Sequence, residues 1–171
     1  YQRAEPTWEI THLLDDGVMR MLQSRDWPRA HARLDALARD LRRTYGVEAI
    51  LLTCSALPLA VVEALGVEKI DVPMARRAVA LGPRVGVLAT FPATQETTRE
   101  MLRHFGPNAE IVEEADAEAL RLLLAGDSAG HDARVRQTLA RFRGRVDVLV
   151  LAQVSMARFR DEAEQLLGVP V

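Results

Sequence analysis

Short apolar runs and helically spaced apolar positions alternate along this chain, the pattern of strands alternating with helices. Glu9-Ile10-Thr11-His12-Leu13-Leu14 alternates imperfectly and stops at Asp15-Asp16-Gly17, which predicts a strand and then a turn. From Pro28 to Tyr45 the apolar residues Ala30, Leu34, Leu37, Ala38 and Leu41 recur at helical spacing. Arginines and aspartates fill the opposite face, and Gly46 is a suitable stop. Ala49 to Thr53 is expected to be a strand, Pro58 to Leu65 a short helix, and Pro73 to Leu81 another, with proline in its first turn.

Gly82-Pro83 then punctuates the chain, and Arg84 to Ala89 reads as a buried strand running into Thr90-Phe91-Pro92-Ala93-Thr94. A helix is expected from Gln95 to Phe105, closed by Gly106-Pro107, then a strand from Glu110 to Glu113, and a helix to Leu124 capped by Asp116. The turn Gly126 to Gly130 leads to a helix from His131 to Phe142. Val146 to Leu151 is a strand and Ala157 to Leu167 a helix. Strands alternating with helices imply parallel sheets and an α/β architecture.

The run Val47-Glu48-Ala49-Ile50-Leu51-Leu52-Thr53-Cys54 repeats as Val146-Asp147-Val148-Leu149-Val150-Leu151-Ala152-Gln153. Each is an aliphatic, an acid, a run of aliphatics and a small or polar tip. The repeat divides the chain into two small lobes facing one cleft, residues 1–81 and 82–156, with the helix in 157–171 expected to return towards the first lobe. Tyr1 at the start and Gly168-Val169-Pro170-Val171 at the end, which reads as the beginning of a strand, suggest a piece of a longer chain.

A chain of 171 residues can bury a real core in one domain or two small ones. Its composition, 49% hydrophobic and 27% charged, is that of a soluble globular protein. A net charge of -2 gives no reason to expect nucleic acid or an anionic membrane as partner. No apolar stretch approaches the roughly 18 to 20 residues of a membrane span. A single cysteine cannot form an internal disulfide, so a reducing cytoplasm is the expected setting.

In parallel sheets ligands bind beyond the carboxyl ends of strands, so the strand tips hold the candidate chemistry. Cys54 ends the first repeat unit, where free N–H groups and a helix start would lower its pKa and make it a nucleophile or proton-transfer base, with Thr53 and Ser55 as hydrogen-bonding neighbours. The alternative is a small apolar core residue. Thr90 and Thr94, at the tip of the second lobe's first strand, suit a carboxylate, although Thr94 could simply cap a helix. Gln153 and Ser155 form the third tip; an amide binds a carboxylate but has no useful pKa, and an exposed strand end is the alternative. His131 is the candidate acid or base, its alternative a helix-start role beside Asp132, while Asp15 and Asp16 read as turn residues. His12, His31 and His104 are scattered and no spacing suggests a metal. No Walker loop or GxGxxG motif is present, and the arginine-rich stretch Arg29 to Arg43 reads as a solvated face.

Three pieces, Leu51-Leu52-Thr53-Cys54-Ser55-Ala56, Val85 to Thr94, and Val150-Leu151-Ala152-Gln153-Val154-Ser155-Met156-Ala157, resemble the aspartate/glutamate racemase superfamily, which includes hydantoin racemases, maleate isomerase and arylmalonate decarboxylase. The resemblance implies two pseudo-symmetric α/β lobes, a cleft between them and a cofactor-free site. In racemising members a cysteine from each lobe flanks the carbon that loses its proton. Carried over, the first cysteine is Cys54, in a motif with Thr53 and Ser55, and Thr90 and Thr94 match positions that hold substrate carboxylate. The second would fall at Gln153 and is absent, which puts two-thiol racemisation in doubt. The resemblance also implies family segments before Tyr1 and after Val171, and a homodimer by analogy.

The leading expectation is therefore a cofactor-independent enzyme of amino-acid metabolism, acting on a small carboxylate by proton transfer from one thiol: isomerisation, decarboxylation or one-face exchange. Racemisation stays open if His131 or a residue outside this sequence serves the other face. The alternative is a module that binds a small carboxylate and has lost its chemistry. A third reading, a flavodoxin-like interaction domain, would leave the repeated strand tips without purpose.

Overall fold

The computed structural model describes residues 7–171, so residues 1–6 of the first lobe lie outside the described part. Helices α1 (Asp16–Gln23) and α2 (Trp27–Tyr45) lead into β1 (Leu51–Leu52), α3 (Leu59–Ala64), β2 (Glu68–Lys69) and α4 (Val72–Leu81). Then come β3 (Arg84–Ala89), α5 (Pro92–Phe105), β4 (Glu110–Ala115), α6 (Ala117–Leu124), α7 (Ser128–Leu139), β5 (Val148–Leu151) and α8 (Arg160–Leu167). Two 3-10 stretches, Ala140–Phe142 and Val154–Phe159, precede and follow β5.

All strand pairs are parallel: β1 with β2, and a three-stranded sheet in the order β4-β3-β5. After Arg84 the central strand β3 is apolar, Val85 to Ala89, because both of its faces are covered. Val85, Val87 and Ala89 point to one side, with Val148 and Val150, against Ala75 and Ala78 of α4 and Met101 and Leu102 of α5. Leu88 points to the other side, with Leu149, against Ala119, Val135, Leu139, Phe142 and Ala163. Each fully buried Val or Leu contributes roughly 1.5–3 kcal/mol, so this strand is the mechanical centre of the fold.

Gly86 lets the second face close. A Cβ there would stand 2.9 Å from Leu149 Cδ1, 3.0 Å from Val146 Cγ1 and 3.1 Å from Phe142 Cδ1. The acid of the second repeat unit ties the strand starts together, Asp147 accepting the Arg84 N–H at 2.9 Å and its guanidinium at 2.5 Å. A third core, of Val18, Leu22, Ala30, Ala56, Leu57 and Val62, joins α1, α2 and α3 to the loop after β1.

Several elements differ from the sequence reading. Glu9–Leu14 forms no strand: none of the described residues pairs with it, and Leu14 is 94% exposed. Instead of marking a turn, Asp15 caps α1, its carboxylate accepting the Gly17 and Val18 N–H groups. The Ala49–Thr53 strand shrinks to Leu51–Leu52 because β2 offers only a short partner. Helix α5 starts at Pro92 rather than Gln95, since proline suits a first helical turn. Helix α7 starts at Ser128, where Asp127 accepts the Gly130 N–H at 2.8 Å.

Packing also redraws the boundaries between units. Helix α4, assigned to the first lobe by sequence, buries Ala75 and Ala78 against the three-stranded sheet. The last helix does not return towards the first lobe: Ala163, Leu166 and Leu167 pack in the core under β5, and Leu149 donates to the Pro170 carbonyl at 2.9 Å. Small and branched apolar side chains on these helices meet the nearest uncovered sheet face, which belongs to the second unit.

Candidate active site

Cys54 and Gln153 each stand two residues beyond a strand end, Leu52 of β1 and Leu151 of β5. The internal repeat thus becomes two equivalent tips, but their surroundings differ.

At the first tip, Cys54 is half-buried and packs on the core of Ala56, Leu57 and Val62, as do Phe91 and Ala93 from the β3–α5 junction. Burial pushes its thiol above the ordinary value and the Asp71 carboxylate adds to this, while the Ala56 N–H and the Lys69 ammonium pull the other way without cancelling it. This corrects the expectation of a lowered pKa. Helix α3 begins only at Leu59, too far along for its N-terminus to face the sulfur, and the apolar packing dominates.

Ser55 is buried, and its carbonyl is the anchor of this tip. It accepts a hydrogen bond from Thr97 Oγ1 of α5 at 2.6 Å and another from Lys69 Nζ of β2 at 3.3 Å. Lys69 Nζ in turn lies 2.6 and 2.5 Å from the two Asp71 oxygens, both side chains almost completely buried. Thr53 is exposed.

At the second tip, Thr90 is buried at the end of β3, and both its N–H and its hydroxyl donate to Gln153 Oε1, at 2.7 and 3.0 Å. The donors expected to hold a carboxylate are therefore engaged by an amide oxygen, a neutral stand-in for one carboxylate oxygen. Thr94 is buried in the first turn of α5, but no side chain caps that helix, so the capping role is not realised. Ser155 is exposed.

His131 is buried in the first turns of α7. Its Nδ1 lies 2.8 Å from Asp132 Oδ1 and 3.3 Å from Arg158 Nη2, which places it beside the 3-10 stretch that follows Gln153. Asp132, held below the usual carboxylate range mainly by its hydrogen bond with His131, also receives Arg158 at 2.5 Å.

The three tips are therefore linked through the β3–α5 junction. Ser55 reaches α5 through Thr97, and Gln153 reaches the end of β3 through Thr90. Lys69, Asp71 and Thr97 were not singled out in the sequence. Two signals could have found them. A lysine and an aspartate two apart, with the aspartate just before the proline-marked start of a helix, lie close enough to pair, and Thr94, Thr97 and Thr98 fall on the helical stripe continued by Met101 and Leu102, where hydroxyls stand at core positions. Among the described residues, no group of three or more His, Cys, Asp or Glu could hold a metal, and no helix is long and apolar enough to cross a membrane.

Parallel α/β units with polar residues at their strand tips define the class of fold, and comparison narrows it. The sequence profile described as Asp/Glu/hydantoin racemase matches residues 67–171, more than half of the chain, and the chain belongs to that family. The match includes Lys69, Asp71, Thr90, Thr94, His131 and Gln153; Cys54 precedes it. No curated protein matches the chain. Among solved structures, the chain is similar to a glutamate racemase from Francisella tularensis subsp. tularensis SCHU S4 in complex with D-glutamate, with a TM-score of 0.55 and 22% identity over 82% of this chain. The similarity extends over 58% of that racemase. It establishes the fold: parallel sheets with helices in the arrangement of a glutamate racemase.

Proposed function

We propose that this chain carries a cofactor-independent racemase- or isomerase-type activity on a small carboxylate, with Cys54 as the single proton-transferring thiol. The observation that carries this reading is that Cys54 stands at a strand tip, in a loop anchored to α5, while at the equivalent tip of the repeat the Gln153 amide oxygen accepts from both Thr90 donors.

A substrate carboxylate would take the place of Gln153 Oε1 on Thr90, or bind beside it through the Gln153 amide donors. The carbon next to that carboxylate would face Cys54. With its pKa raised by burial, Cys54 is a neutral thiol at neutral pH, the form that donates a proton to a carbanion. In a decarboxylation the carbon–carboxylate bond breaks, CO2 leaves, and the electron pair on carbon takes the thiol proton. In one-face exchange the minor thiolate form first removes the α-proton to give an enediolate, the new S–H trades its proton with solvent, and the thiol returns a proton to the same face; in isomerisation the thiol returns its proton to a different atom of the delocalised anion. Gln153 cannot act as a second base. His131 is the candidate for the opposite face, and Thr53, Ser55, Thr94 and Ser155 are candidate substrate contacts. A cytoplasmic setting and a homodimer belong to the same proposal by analogy with the family.

The second reading is a binding module that retains the fold. It is favoured by one observation, the closure of Thr90 by Gln153, which leaves the second tip without a titrating group. Proton NMR in deuterated buffer, with a panel of amino acids, hydantoins and small dicarboxylates, separates the two. An enzyme depletes the α-proton signal of some compound, and Cys54→Ser abolishes this while binding persists. A compound that binds with no exchange in either protein points to the module.

A further inference from the structure

The buried Lys69–Asp71 pair is the least expected feature of the first unit. An ion pair withdrawn from water is expensive and often no more stable than an apolar substitute, and this one is joined to the Cys54–Ser55 loop through the Ser55 carbonyl. Among the described residues, Lys69 has two kinds of hydrogen-bond partner: both carboxylate oxygens of Asp71, and the Ser55 carbonyl shared with Thr97. We propose that Lys69 and Asp71 are positioning residues for Cys54, the ammonium clamping the carbonyl of Ser55, the next residue in the chain, while Asp71 fixes the ammonium in place.

The sequence builds this device locally. In Glu68-Lys69-Ile70-Asp71 the alternation of the two-residue strand sends Glu68 to solvent and Lys69 inward, and the turn that follows brings Asp71, the residue before α4, onto the ammonium. The charged groups acting on the sulfur are these two, with opposite effects: Lys69 favours the thiolate and Asp71 the thiol. The pair thus holds opposed influences on the proton that Cys54 would transfer. Burial sets the thiol high, and the ammonium limits how high. This inference rests on the reading of Cys54 as the proton-transferring group, but its test needs no substrate.

Cys54 is the only cysteine, so alkylation by iodoacetamide followed across pH reports its ionisation alone. Lys69→Met should move the alkylation midpoint to higher pH and Asp71→Asn to lower pH, each by about one unit, or roughly tenfold in rate well below the midpoint. Lys69→Arg, which keeps the charge, should restore the parent midpoint. A pair that only held the loop together would, when broken, expose the sulfur and speed alkylation in both variants. Shifts in the same direction, or no shift, overturn the proposal. If Lys69→Met does not fold, Asp71→Asn alone decides it: an acid shift supports the proposal, and an unchanged or alkaline midpoint refutes it. Because turnover is not measured, a negative α-proton exchange experiment and a negative alkylation profile are independent failures.

Discussion

Replacing Gln153 by Met keeps the length of the side chain and removes its hydrogen-bonding oxygen. In the native protein that oxygen accepts from the Thr90 N–H at 2.7 Å and the Thr90 hydroxyl at 3.0 Å, and Thr90 is only 2% exposed. The hydroxyl can rotate to another acceptor, but the N–H is fixed by the backbone at the end of β3, and Gln153 Oε1 is the acceptor it meets among the described residues. A buried donor left unpaired costs about 1–3 kcal/mol. For a chain of this size each kcal/mol lowers the melting temperature by roughly 2–4 °C. The expected result is a lower midpoint by calorimetry or urea titration, with an unchanged urea m-value because the exposed surface is the same. The vacated donors then make a second, sharper expectation: a saturating dicarboxylate raises the variant's melting temperature more than the parent's, since it no longer competes with the amide. A variant as stable as the parent to within about 1 °C would refute the claim that Gln153 occupies a carboxylate cradle.

Three further outcomes follow from the same packing and charge arguments. Gly86→Ala drives a methyl against Leu149, Val146 and Phe142 and should destabilise the chain by about 1–3 kcal/mol, read as a lower urea midpoint. At Asp116, burial pushes the carboxyl up but Arg134, the Ala119 N–H and Thr138 outweigh it and hold it below its ordinary value. Its stabilising contribution is thus complete above the unfolded value of about 3.9 and is lost as pH falls through the lower folded value. Asp116→Asn should remove that part of the acid dependence, so the gap between parent and variant closes as pH drops below about 4. In unmodified protein Cys54 should react with iodoacetamide at pH 7 more slowly than a free thiol, because burial keeps it protonated; a rate equal to or faster than that of a free thiol would contradict the assigned environment.

The parts of the fold with long, punctuated signals were legible in the sequence. Helix α2 stops at Gly46 in a left-handed conformation, Asp116 caps α6 through the Ala119 N–H, and the continuous apolar run of β3 lies between covered faces. Helix α1 was not, because its buried residues Val18 and Leu22 make a single turn-to-turn pair, and the alternation just before it imitates a strand. Strand β2 is too short for periodicity to register, and its inward lysine reads as a surface residue until Asp71 is placed against it. The association of α4 and α8 with the three-stranded sheet depends on contacts between distant segments, which local pattern does not encode. At the site, residue types pointed to Cys54, Thr90 and Gln153, whereas the Thr90–Gln153 bond and the Ser55 anchor depend on three-dimensional approach.

The central claim is one thiol serving one face of the substrate carbon. It is tested most directly by incubating each enantiomer of an exchanging substrate in deuterated buffer, with the parent protein and with Cys54→Ser, and measuring deuterium content and configuration together. Deuterium entering with retained configuration in the parent, and none entering with Cys54→Ser, is the predicted result. Exchange that survives in Cys54→Ser, or inversion as fast as exchange in the parent, would contradict it.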